Sequence, residues 1–363
     1  MGYQSRRASV VAVGLSVACA GACDANDVGV VDDVTPRSEA DNGIALNSAA
    51  VNGWQLNGWQ LNGWQLNGWQ LNGWQLNGWQ LNGVTLNGSV FKGTKLVGSQ
   101  SVPIQGVDFI GAQITLSDAN QQQVTLRIDN VYKNPAKPTG DVYFHDISAL
   151  NPTTGTWSSV CRDSNGQPAA AIVLANAWNM TTGARVDAAD AITIACRGAA
   201  LAKCVEWNYR PWATATSCTS GTCKSISLKD HHQACTRMVR ADYCGDGTPH
   251  TFNGTPIDLF DKLSPVIQAE GTKNYSNWAL EAEWGPNGAL CTGDALRLQM
   301  FDDRDIPYTV PSCLDSIDNI SGCGNFTASR GALVVNKYCP VWTTNPGACA
   351  GGDDWQGEQQ GQH

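Results

Sequence analysis

Charge is scarce in this sequence. Asp, Glu, Lys and Arg make up 15% of its 363 residues, and the formal net charge is −9. Between positions 42 and 100 the only charged side chains are Lys92 and Lys95. An acidic chain with no basic stripe has little to offer a phosphate backbone, which argues against DNA or RNA as a partner. Long apolar runs are also scarce. After Ala8–Ala20 none reaches membrane-spanning length, so the membrane attachment expected is a lipid anchor alone. Catalytic signatures are missing too. The sequence has no Gly-x-Ser-x-Gly, no His-Glu-x-x-His, no phosphate-binding glycine loop and no Cys-x-x-Cys. The standard hydrolase nucleophile, zinc and nucleotide motifs are therefore not available.

Cysteine, by contrast, is abundant, with 14 residues. Twelve of them fall late in the chain: Cys161, Cys196, Cys204, Cys218, Cys223, Cys235, Cys244, Cys291, Cys313, Cys323, Cys339 and Cys349. An even set without metal-ligand spacing predicts disulfides in an oxidising compartment. Spacing alone leaves their connectivity open.

The first residues agree with export. Arg6 and Arg7 precede the apolar run, and residues 1–22 are read as a signal peptide. Ala20-Gly21-Ala22 leads into Cys23, which resembles a bacterial lipoprotein signal and makes Cys23 the candidate lipidation site. Simple secretion is the alternative. Residues 23–43 are polar and acidic and read as a disordered tether, as does the Gly/Gln-rich tail 350–363.

Asn-Gly-Trp-Gln-Leu then recurs six times at a period of five, carrying Trp54, Trp59, Trp64, Trp69, Trp74 and Trp79. The period continues in degenerate form through Leu86, Phe91 and Leu96. Five matches neither 3.6 nor 2.0, which excludes a long helix or a flat strand. Three extended residues followed by an Asn-Gly corner predict short strands wound into a solenoid over residues 44–116. Units such as Ser89-Val90-Phe91-Lys92-Gly93 resemble the pentapeptide-repeat family, which implies a right-handed β-helix. The tryptophans occupy positions where that family has small residues. They are expected to form either part of a structural stalk or an aromatic binding surface for a glycan, protein or envelope partner.

Beyond the repeats, alternation predicts strands at Val124–Ile128, Val142–Phe144, Ala171–Leu174, Ala191–Ala195 and Ala332–Val335. One helix is expected over His231–Tyr243, with Asp230 as N-cap and Gly245 as the stop. A second is expected from Thr255-Pro256 to just before Pro265. The fold class is thus mainly β: a repeat solenoid followed by a disulfide-rich, β-dominated α+β domain over residues 117–349.

The segment Cys235–Asp261 contains Ala241-Asp242-Tyr243-Cys244, and Glu281-Ala282-Glu283-Trp284-Gly285 follows downstream. With Cys196-Arg197-Gly198-Ala199 and Tyr209-Arg210-Pro211-Trp212, this resembles the ADYC domain of exported proteins of myxobacterial type. The resemblance implies no reaction. His231, His232, Asp242, Asp246 and His250 lie close in sequence and are the candidate catalytic or metal-binding cluster. The competing reading has Asp246 supporting a Gly-Asp-Gly turn, Asp242 capping a structure and the histidines exposed. Arg237 and Arg240 could hold a carboxylate, most simply a neighbouring Asp. Asp302-Asp303-Arg304-Asp305 hints at calcium without the spacing of a calcium loop. No resident metal or cofactor is expected. Two functions remain: an exported envelope or surface protein with a structural, adhesion or recognition role, or an exported hydrolase or metal-dependent enzyme using the His/Asp cluster.

Overall fold

The computed structural model describes residues 79–340 with short interruptions, and short strands at 44–46, 55–56, 59–60, 65–66 and 74–76; side chains are described from Val84 onward. The expected leader, tether and tail, with Cys19, Cys23 and Cys349, lie outside the described residues, as do the side chains of the six repeat tryptophans.

Where the degenerate repeats are described they do not coil. Strands β1 (Trp79–Asn87), β2 (Val90–Val97) and β3 (Gln100–Gln105) pair antiparallel as a meander, not as stacked solenoid turns. Two units make one arm. Asn87 pairs with Val90 and Val97 with Gln100, so the two-residue loops are Gly88-Ser89 and Gly98-Ser99. Gly88 and Gly98 stand first in these loops at φ 65° and 64°, a position that favours glycine in a tight hairpin. The Asn-Gly signal thus marks a turn at Asn87-Gly88 but lies within a strand at Asn82-Gly83. At the unit between, the register between β1 and β2 shifts from Asn82 to Thr85, a bulge that absorbs one residue. An odd repeat thereby becomes an even step along a strand.

The meander continues into a larger sheet with β4 (Ala112–Ser117), β5 (Gln123–Lys133), β6 (Tyr143–Leu150), β7 (Ala171–Ala175) and β8 (Ile192–Cys196). Across the sheet the order is Gln65–Leu66, β8, β7, β6, β5, β4, Trp74–Leu76, β1, β2, β3. Four of the predicted strand segments fall within or against β5–β8. Strand β7 is buried on both faces: Ala171 and Val173 join one cluster with Phe91, Ile128 and Ile147, while Ile172 and Leu174 join another with Phe144 and Trp178. Alternation sends successive residues to opposite layers, which is why this strand reads as an unbroken apolar run.

Helix α1 (Ala200–Glu206) covers the second face through Leu201, Ala202 and Val205. An exposed hairpin, β9 (Thr214–Thr219) and β10 (Thr222–Ser227), leads into α2 (Lys229–Arg240). On one side Gln233 of α2 accepts a 3.0 Å bond from the Trp178 indole. On the other, Ala234, Cys235 and Met238 pack into the core of a second sheet. That sheet is ordered Ile44–Leu46, β11 (Pro256–Phe260), β14 (Val334–Tyr338), β12 (Ala279–Gly285), β13 (Gly288–Thr292).

The segment beginning Thr255-Pro256 is thus a strand, not the helix its proline predicts. All five residues of β11 are buried between neighbouring strands, and Pro256 takes the first position, where a strand tolerates proline. The following Asp261 fixes a turn by accepting backbone N–H bonds from Leu263, Ile267 and Gln268.

Disulfides join Cys161–Cys196, Cys204–Cys235, Cys218–Cys223, Cys244–Cys313 and Cys291–Cys323, and Cys339 is also disulfide-bonded. Such a set places the folded chain outside the reducing cytoplasm. Among the described residues, no helix is long and apolar enough to cross a membrane.

Candidate functional site

The candidate cluster surrounds the C-terminal end of α2. This helix starts at Lys229 with Leu228 in the cap position, and no side-chain cap is formed there by Asp230. It stops at Ala241, which takes the left-handed conformation at φ 51° and ψ 43°, four residues before the expected glycine. Alanine bears that conformation at some cost, so surrounding contacts must impose it. They are supplied by the next residue. Asp242 N–H bonds back to Arg237 O at 3.0 Å, and the Asp242 carboxylate accepts from Arg237 Nη1 at 2.5 Å. Arg240 Nη1 lies 3.6 Å away on the other side, and Gly247 N–H donates to the same carboxylate at 3.1 Å.

Arg237 also donates to Thr182 O and Pro286 O, so the one guanidinium joins the α2 terminus to both neighbouring loops. Of the two expectations for these arginines, pairing with a nearby Asp is the one observed. Burial pushes Arg240 down to about 10, which still leaves it charged at neutral pH. Gly247 is required here: at φ 94°, an added Cβ would stand 1.9 Å from Thr181 O.

Tyr243, the third residue of the motif, points into the second sheet. Its hydroxyl donates to Glu281 Oε1 at 2.5 Å, and burial with the Glu281 charge raises its pKa well above the ordinary value. Glu281 accepts both 2.8 Å bonds of a fully buried Arg297 Nε and a 2.5 Å bond from Asn336 Nδ2. Asn336 in turn accepts from the Trp284 indole at 2.7 Å. Arg297 caps the carbonyls of Met238 and Val239 in the last turn of α2. Cys244 completes the motif through its disulfide to Cys313.

The histidines are buried rather than exposed, yet the structure does not assemble them with the aspartates. His232, fully buried, donates from Nε2 to Leu201 O at 3.0 Å and lies edge-on to Trp178. Desolvation pushes its pKa down to about 4, so it is neutral. His231 stacks on Tyr209, and burial lowers its pKa as well. His250 donates from Nδ1 to Ala241 O at 3.1 Å and packs on Tyr243. Asp246 is exposed and accepts the Thr248 N–H at 2.8 Å, which is the Gly-Asp-Gly turn. Among the described residues no group of three His, Cys, Asp or Glu side chains could hold a metal ion. Asp302, Asp303 and Asp305 are exposed, and Asp302 accepts a bond from the Tyr308 hydroxyl.

Sequence reasoning missed Glu281, Arg297 and Asn336, the charged and polar centre of this knot. The only signal was Glu281 within the Glu-Ala-Glu-Trp-Gly string, and nothing in the sequence pairs it with a distant arginine. A shallow cavity of about 280 Å³, lined by Leu280, Thr292, Gly293, Ile320 and Cys323, lies at the edge of the second sheet and presents no titratable side chain.

What these contacts define is a disulfide-braced domain of two β-sheets keyed together around one buried helix end. The ADYC domain model matches residues 106–297, more than half of the chain, and the protein belongs to that family. No curated protein and no solved structure matches the chain.

Proposed function

We propose that this protein is an exported cell-envelope or surface protein in which the ADYC domain is a stable frame for adhesion or recognition. In this reading Cys23 carries a lipid, and the Asn-Gly-Trp-Gln-Leu array, with Trp54, Trp59, Trp64, Trp69, Trp74 and Trp79, contacts a glycan, protein or envelope partner. The observation that carries the reading is where the motif's polar residues are used. Asp242, Tyr243 and Cys244 are consumed in joining α2 to the second sheet, and six described cysteines bridge segments 31 to 35 residues apart. Buried groups whose hydrogen-bonding capacity is spent on one another rigidify a frame.

The test is made on producing cells. External protease and a membrane-impermeant label should reach the chain, thiol titration of the native protein should find no free cysteine, and Cys23→Ala should release it to the medium. Replacing Trp54, Trp59, Trp64 and Trp69, which lie outside the larger sheet's central strands, by alanine should abolish retention on isolated envelope while leaving thermal unfolding unchanged. A chain held in the cytoplasm with free thiols would overturn the reading. So would a hydrolytic activity lost on Asp246→Asn.

A further inference from the structure

The described disulfides are of two kinds. Cys161, Cys196, Cys204, Cys235 and Cys291 are buried, and Cys244, Cys313 and Cys323 are half-buried. Cys218 and Cys223 are both exposed. Their bond closes a separation of 5 residues, whereas the other four described bonds close 35, 31, 69 and 32. In the chain-entropy account of disulfides, the shortest loop contributes least to stability.

The bond is also redundant with the backbone around it. Cys218 stands directly opposite Cys223 in the β9–β10 hairpin, whose register runs unbroken from Thr214↔Ser227 to Thr219↔Thr222. The hairpin forms a two-stranded sheet of its own, and the base of β9 is held by a Ser217–Leu263 bridge and a 2.8 Å bond from Ser264 N–H to Thr216 O. Those attachments survive if the two sulfurs part. A bond that the fold does not need, and that solutes can reach, belongs to the labile class of disulfides rather than the structural one.

We propose that Cys218–Cys223 is a thiol–disulfide exchange site for an external thiol. The incoming thiolate attacks either exposed sulfur, for instance Cys218 Sγ. A new sulfur–sulfur bond forms to Cys218, the bond to Cys223 breaks, and its electron pair leaves on Cys223 as a thiolate. Attack of a second thiolate on the incoming sulfur frees Cys218 and releases the external disulfide, so the two electrons come from the external thiol. Without that second attack, the product is a covalent adduct on Cys218. The other bridges keep the frame intact throughout.

The full oxidised protein is titrated without denaturant with reduced glutathione and, separately, with a protein dithiol of the Cys-x-x-Cys class, then quenched by alkylation and mapped by peptide mass spectrometry. Cys218 and Cys223 should react at concentrations at least about tenfold below any other pair, which for the dithiol, consumed one per bond, is a separation of about 30 mV. The near-ultraviolet circular dichroism should stay unchanged. Glutathione should appear on Cys218 or Cys223 and on no other cysteine. An adduct with glutathione but no reaction with the dithiol protein identifies a small thiol as the source, and the reverse identifies a protein. Reaction of another pair first, or of all pairs together with loss of the circular dichroism signal, would overturn the proposal. The Cys218→Ser/Cys223→Ser double variant, which removes the site, should be inert to glutathione over the same range. Modification of that variant at equal concentrations would count against the assignment.

Discussion

The two sheets achieve stability by different means. The larger one is held by apolar alternation: Phe91, Ile128, Ile147, Val173 and Ile194 form one continuous layer, with one disulfide, Cys161–Cys196, inside it. The smaller one adds ion pairs to its apolar core, with Glu281 against Arg297 and Asp242 against Arg237 buried, and Glu283 against the half-buried Arg330. Apolar contacts are non-directional, so a layer made of them accepts many arrangements of similar volume. A buried ion pair is tolerable only when its geometry and its remaining hydrogen bonds are satisfied, which makes it a weak source of stability and a strong constraint on arrangement. The family's motif residues sit in the second kind of construction.

The sharpest way to break this contrast is to orphan one charge. Arg297→Met leaves Glu281 buried with only neutral donors and should cost about 3–5 kcal/mol, read from urea unfolding. An effect below about 1 kcal/mol, the scale of an exposed pair, would show that the network is not desolvated in solution. Next come the disulfides. Replacing Cys244 and Cys313 together by serine, which opens a separation of 69, should cost about 4 kcal/mol, while Cys218→Ser/Cys223→Ser, with a separation of 5, should cost about 2 kcal/mol. Equal losses would contradict the division into structural and expendable bridges.

Acid should act on the layers packed against the two faces of the larger sheet. His145, buried in the larger sheet against Phe91, and His232, beneath α1, are each pushed down to about 4 by desolvation. In the unfolded chain they titrate near 6.5, so between pH 6.5 and 4 the unfolded state binds protons that the fold refuses. Their contribution is present above pH 6.5 and is lost as the pH falls toward 4, by on the order of 2–3 kcal/mol for each histidine. Thermal melts across that window should fall steeply, and His145→Phe should flatten the curve. The smallest effect is reserved for the apolar layer: Ile128→Val should cost about 1 kcal/mol.

How much of this was legible in the sequence follows the same division. Strand β7 could be read from Ala171–Leu174 because burial on two faces needs only apolar residues in a row. The bridges were legible in the cysteines, whose even number without metal-ligand spacing argues for disulfides. The position of α2 was legible, but its end was not. Gly245 is the stronger stop signal, and Ala241 stops the helix only because Asp242 is drawn back onto Arg237 and Gly247 by contacts formed after folding. Segment 256–260 misled for a related reason. Proline after threonine is a helix-start signal, and it is overridden where two flanking strands offer the backbone partners. The five-residue period was read as a coil because a turn was assigned to every Asn-Gly, although at Asn82-Gly83 a bulge lets the chain run on. The Glu281–Arg297 pair spans 16 residues and has no local signature at all.

The loop at Gly88-Ser89 has one more implication. Ser89 Oγ receives the Tyr143 N–H at 2.8 Å, and the Trp212 indole lies within contact of Gly88 while bonding Asp141 at 2.9 Å. The downstream end of the array is thereby riveted to the domain, and the upstream copies are identical in sequence. Replication slippage that adds or deletes one five-residue copy before Trp74 therefore presents the same Trp-Gln-Leu to the seat between β1 and β4.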